Sequence, residues 1–222
     1  MALINFLKRH SSRRLLPAWA ICILLLIIIS ETAAQVAQPA SDALLIEKLR
    51  RGGYNLYVRH AVTDWSQSDK ISSYGDWVSC DPGKVRQLSE EGRRDARALG
   101  AAFRSLDIRL GRVLASPYCR TMETAQLISG QDVEPTIDLM NLRAEAFVGG
   151  RESIIARARK RLSQSPKAGV NDLYAAHGNL GRATTGQSLG EGEVLVIAPH
   201  GGGQFDIVGT LTLATLKSFA GQ

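Results

Sequence analysis

Apolar positions along this chain alternate between two spacings, one of helices and one of strands. Leu44, Leu45 and Leu49 fall at helical intervals after Asp42, a capping residue, and stop at Gly52-Gly53, which predicts a short helix. An aromatic and β-branched run over 54–58 predicts the first strand. Residues 63–87 show little period and carry Trp65, Tyr74, Trp77 and Cys80; a loop of that length in a compact domain is usually functional, so it is expected to wall a site. Ser89 then opens a strong helix with Ala96, Leu99, Phe103 and Leu106 on one face. A second strand is expected over 112–115, a helix over 121–128 and an irregular stretch over 130–150. Ile154, Ile155, Ala158 and Leu162 restore helix over 152–162, and 172–176 reads as a third strand. Segments 193–198 and 205–212 bracket His200-Gly201-Gly202-Gly203 and predict a β-hairpin.

Strands that alternate with helices imply right-handed crossovers and a mainly parallel sheet covered on both faces, an α/β fold with a C-terminal hairpin. Ligands in such sheets sit at the carboxyl ends of the strands. Arg59 and His60 end the first strand, Arg120 closely follows the second, and His177 ends the third, so all four fall on one rim. Arginine grips phosphate oxygens bidentately, and a neutral imidazole is a nucleophile near pH 7. Two arginines and two histidines on one rim make a pocket for a dianion.

The beginning of the chain changes the reading of its charge. Lys8, Arg9, Arg13 and Arg14 precede an apolar run over 18–29, followed by Ser30-Glu31-Thr32-Ala33-Ala34. A basic head, an apolar stretch and small residues make residues 1–34 an export signal, with Thr32 and Ala34 as its cleavage site, or an uncleaved membrane anchor. In both cases the domain faces outward, periplasmic or attached to the inner membrane, with 35–41 as linker and 42–222 as the domain. The whole chain has 27 basic and 21 acidic residues; without residues 1–34, which hold four basic and one acidic, 23 stand against 20, a net charge of +3. So mild a surplus argues against nucleic acid as a partner, and the cluster Arg157, Arg159, Lys160 and Arg161 on a short helix reads as a solvated face.

In order, four segments resemble the motifs of the histidine phosphatase superfamily, branch 1, the phosphoglycerate mutase-like group. Residues 59–66, Arg-His-Ala-Val-Thr-Asp-Trp-Ser, resemble its R-H-G-E-T-x-W-N opening, and Leu88-Ser89-Glu90-Glu91-Gly92 its L-T-x-x-G helix start. Residues 115–125 resemble S-S-P-x-x-R-x-x-x-T-A, and Ala176-His177-Gly178-Asn179 resembles S-H-G-x. The resemblance implies a three-layer α/β/α sandwich and phosphomonoester hydrolysis without a metal or other cofactor. His60 would attack phosphorus and carry the phosphoryl group, with Arg59, Arg120 and His177 holding its oxygens; Thr63 is placed either to donate a hydrogen bond to the phosphate or to cap a turn. Ala61, Val62 and Ser66 depart from the pattern. The family's acidic residue in an L-R-E-like segment has its nearest counterpart in Glu145, one place late, which makes Glu145 the candidate general acid. The anchored layout is similar to that of lipopolysaccharide core heptose phosphate phosphatases in the superfamily.

His200 rivals His177, but a strand-to-helix context fits His177 and a glycine-rich turn does not. A metal site from His60, His177 and His200 lacks both adjacent spacing and a carboxylate cluster. Cys80 and Cys119 fall in the exported part and are candidates for a disulfide. A domain that binds a small phosphorylated ligand without turning it over is the alternative function. Residue pattern gives no oligomeric state.

Overall fold

Strand β1 (Asn55–Arg59) shows how the body of the protein is layered. Leu56 and Val58 enter one apolar cluster and Tyr57, pointing the other way, enters a second. The same division recurs in β2 (Leu110–Ala115), β4 (Asn171–Ala176) and β5 (Val194–Gly201): Val113, Leu173 and Val196 face one cluster, Leu114, Tyr174 and Leu195 the other. A sheet buried on both sides reads as unbroken apolar runs, which is why these strands lack polar alternation.

The computed structural model describes residues 38–221, so the export or anchor reading of residues 1–34 lies outside the described residues. The chain from Asp42 on forms one compact unit. Helices α1 (Gln38–Arg51), α2 (Glu90–Ser105), α3 (Cys119–Ser129) and α6 (Leu213–Ala220) cover the first face through Leu49, Phe103, Ile128 and Leu216. Helices α4 (Arg151–Leu162) and α5 (Gly178–Thr185) cover the second through Ile154, Leu162 and Leu180, helped by Trp77, Leu139 and Met140 from connecting segments. The result is the expected three-layer α/β/α sandwich. Its sheet is mixed and has six strands in the order β3-β2-β4-β1-β5-β6, where β3 is Glu134–Pro135 and β6 is Gln204–Leu211. Neighbours from β3 to β1 run parallel; β5 joins β1 antiparallel and β6 closes the predicted hairpin.

Some boundaries differ from the sequence pattern. Helix α1 already includes residues 38–41, inside the expected linker. Thr212, expected to end the last strand, instead caps α6 by accepting from the Thr215 N–H. Among the described residues no helix is long and apolar enough to cross a membrane.

Candidate active site

Sheet register brings the two histidines together. In the parallel pair β1 and β4, Arg59 lies opposite Ala176, so His60 and His177 are the next residues on neighbouring strands, and the His60 N–H donates to the Ala176 carbonyl at 2.9 Å. Their rings stand 5.7 Å apart between centroids. Strand β2 ends beside them: Ser116 Oγ lies 2.9 Å from His177 Nε2, and the Tyr118 ring packs edge-on to His177 at 4.7 Å. One turn later α3 supplies Arg120. Arg59, His60, Arg120 and His177 line one cavity of about 360 Å³.

The His60 ring is held in one tautomer. Its Nδ1 lies 3.0 Å from the Ala61 carbonyl, an acceptor, so Nδ1 carries the proton and Nε2 keeps its lone pair. Burial, then the nearby Arg120 and Arg59 guanidinium groups, push its pKa down to about 3, so the imidazole is neutral at ordinary pH. Burial and the same arginines hold His177 well below the usual histidine range. The buried Nδ1 of His177 and Nε of Arg59, Arg86 and Arg120 have no hydrogen-bond partner among the described residues. Buried donors are rarely left unpaired, and three guanidinium N–H groups around one cavity fit a site for an anion rich in oxygen acceptors.

Two glycines permit this arrangement. A Cβ at Gly178, which follows His177, would meet Arg59 Cδ at 3.1 Å and Nε at 3.2 Å, so a side chain there would press on the arginine. A Cβ at Gly92 would fall 2.0 Å from the Val62 carbonyl oxygen, which lets the start of α2 close against the turn after His60. Ser89 completes that joint, capping α2 through the Gly92 N–H while its own N–H donates to Val62.

The wall over 63–87 is more ordered than its lack of period suggested. Bridges Thr63↔Leu88 and Asp69↔Val85 pair its two arms, and Cys80 is joined to Cys119, next to Arg120, with Sγ atoms 2.09 Å apart. The arms deliver Asp69 and Arg86 to the cavity. The Asp69 carboxylate accepts two bonds from Arg120, at 2.9 and 3.3 Å, and stands 3.5 Å from Arg86 and 3.4 Å from Arg143. Arg86, only 8% exposed, lies with its guanidinium 3.9 Å from the Trp65 ring centroid.

Two expectations change. Glu145 does not line the cavity; it is half-buried and pairs with Arg151 at 3.5 Å. Arg143, two residues earlier in the short 3₁₀ segment Leu142–Phe147, is the one that faces the mouth, since residues two apart on such a helix point to different sides. Thr63 is buried behind the cavity and donates to Glu191 Oε1 at 2.7 Å, not toward it. Glu191 also accepts from Trp65 Nε1 and approaches Arg59 and His60 Nδ1 at 3.5 and 3.8 Å. His200 sits at the far end of β5 in an exposed pair with Asp206, outside the cavity. Asp69, Arg86 and Glu191 carried no periodic or motif signal; the arm pairing reveals the first two, and Glu191 comes from the segment between α5 and β5.

A search of curated protein sequences returns no match. Among solved structures, the protein histidine phosphatase SixA complexed with tungstate has 16% identity over 74% of this chain and 99% of its own, with a TM-score of 0.51, a likeness of fold. Phosphoserine phosphatase from Entamoeba histolytica in complex with 3-phosphoglyceric acid has 14% identity over 73% and 98%, with a TM-score of 0.49. A mycobacterial glucosyl-3-phosphoglycerate phosphatase has 15% identity over 70% and 97%, with a TM-score of 0.47. The model of the histidine phosphatase superfamily, branch 1, matches residues 56–183, more than half of the 222 in the chain and the span from β1 to α5 that carries the cavity: the chain belongs to that superfamily.

Proposed function

We propose that the protein is a phosphomonoester hydrolase that works through a phosphohistidine at His60 and meets its substrate outside the cytoplasm. The observation that carries the catalytic part is the His60 ring itself: neutral, fixed by the Ala61 carbonyl, with Nε2 free in a cavity lined by arginines. Arg59, Arg120 and His177 surround the equatorial oxygens of the phosphoryl group, the charge-neutralising role that dominates phosphoryl transfer. Covalent capture by His60 divides one displacement into two easier ones. The arginines supply the positive charge, so the reading calls for no metal ion. Superfamily membership and the fold shared with SixA support hydrolysis of a phosphorylated compound. The basic head and apolar run of residues 1–34 support export, and an envelope sugar phosphate remains one substrate class consistent with that reading.

The position of Glu145 outside the cavity favours one competing reading, a domain that binds a phosphorylated ligand without turnover. Assay of the purified full chain against a panel of phosphomonoesters, with and without chelator, separates the two. The proposal expects His60-dependent phosphate release that chelator leaves unchanged. Saturable binding with no release from any ester would favour the competing reading.

A further inference from the structure

Expulsion of an alkoxide from phosphorus is accelerated by a proton delivered to the leaving oxygen as the bond breaks. The expected donor, Glu145, stands at the surface with Arg151. Glu191 is tied behind Arg59 and His60 by Thr63 and Trp65 and does not line the cavity. Among the described lining residues, Asp69 is the one carboxylate. Its side chain is 7% exposed, the bridge to Val85 fixes its backbone, and its oxygens face Arg86, Arg120 and Arg143.

From this geometry we propose that Asp69 is the proton donor to the leaving oxygen, an assignment that rests on the phosphatase reading above. In the free enzyme the carboxylate balances the guanidinium groups around it. A substrate that binds as the monoanion carries one proton on a phosphoryl oxygen, and that proton passes to the Asp69 carboxylate as the phosphoryl group settles between Arg59 and Arg120. The His60 Nε2 lone pair then forms the N–P bond while the ester P–O bond breaks; the bonding pair leaves on oxygen, which receives the Asp69 proton and departs as the alcohol. In the second step the Asp69 carboxylate takes a proton from water as the water oxygen bonds phosphorus, and the N–P pair returns to Nε2, releasing phosphate.

The test compares phosphoenzyme formation, by rapid quench of the full chain, from an alkyl phosphate and from 4-nitrophenyl phosphate, whose leaving group needs no proton. Asp69→Asn is expected to slow formation from the alkyl ester by about 10²–10⁴-fold and from the nitrophenyl ester by less than about tenfold. The phosphoenzyme from the nitrophenyl ester should then accumulate, because water activation is lost too. Retained labelling by the nitrophenyl ester shows that the variant is folded, and Asp69→Glu should recover part of the alkyl rate. Glu145→Gln should leave the ratio of the two rates unchanged. Equal losses on both esters would mean that Asp69 only orients Arg86 and Arg120, and would overturn the proposal. Absence of phosphohistidine in the wild-type chain from either ester is a different result and removes the phosphatase reading itself.

Discussion

Two regions meet in the cavity and are placed by different means. At the ends of β1, β2 and β4, position follows from sheet register: once Arg59 lies opposite Ala176, His60 and His177 stand side by side with no further contact required. In the arms over 63–87, position depends on a few separate clasps: two bridges, the Cys80–Cys119 disulfide and the ion pairs of Asp69. A ladder buried on both faces opens only with the whole domain, whereas clasps can be lost singly. The chemistry divides along the same line. On the proposed mechanism, the nucleophile and the phosphate clamp come from the strand ends and the helix start that follows, and the carboxylate and Arg86 from the arms.

Arg120 is the residue on which the two regions depend jointly, so its loss should have the largest effect. Arg120→Ala strips Asp69 of its nearest cation and, on the proposed mechanism, removes a phosphoryl clamp. Loss of one stabilising donor predicts a fall in kcat/KM of about 10²–10³-fold. Breaking a buried ion pair also costs about 3–5 kcal/mol of stability. Steady-state kinetics and urea unfolding would check both, and a fall below tenfold in kcat/KM would show that the cavity does not rely on this guanidinium.

The disulfide should separate the regions. Its cysteines are 39 residues apart, and Cys80→Ser should lower stability by roughly 2–4 kcal/mol through the freed loop. The strand ends stay in register, so labelling of His60 by a good leaving-group ester should survive in the folded variant. Labelling that vanishes while circular dichroism stays native would show that the arms position the nucleophile as well.

The remaining expected effect is one of pH, and it centres on His60 at the end of β1. His60 is neutral when folded, with a pKa of about 3, and takes a proton near 6.5 when unfolded. The unfolded chain therefore binds more protons as pH falls below about 6.5, and stability declines from there down to about pH 3, by about 1.4 kcal/mol per pH unit. His177, also held low, adds to the slope. His60→Ala should flatten the decline measured by urea unfolding between pH 6 and 4; an unchanged slope would show that His60 is not buried neutral.

This division also explains what the sequence disclosed. Arg59, His60, Arg120 and His177 were legible because strand ends and the first turn of a following helix lie at fixed chain intervals, which a linear motif records. Asp69 and Arg86 were not, because an antiparallel arm pairing brings them together across a stretch with no period. Glu145 illustrates the failure from the other side. Counting along the chain placed it near the acidic position, but the 3₁₀ turn points Arg143 at the mouth and Glu145 at Arg151. Thr63 was expected at the phosphate, yet it lies behind the cavity and its hydroxyl turns to Glu191, a partner 128 residues away. The layers were visible in the apolar runs, while β3, only two residues long, and α6, whose cap looked like strand, were not.

The central claim is that the sheet alone delivers the nucleophile, at His60. Rapid acid quench with a labelled phosphomonoester, followed by peptide mapping, tests it most directly. The account predicts label on His60, none in His60→Ala, and label that still forms, though more slowly, in His177→Ala. Label on His177, or undiminished label in His60→Ala, would contradict it.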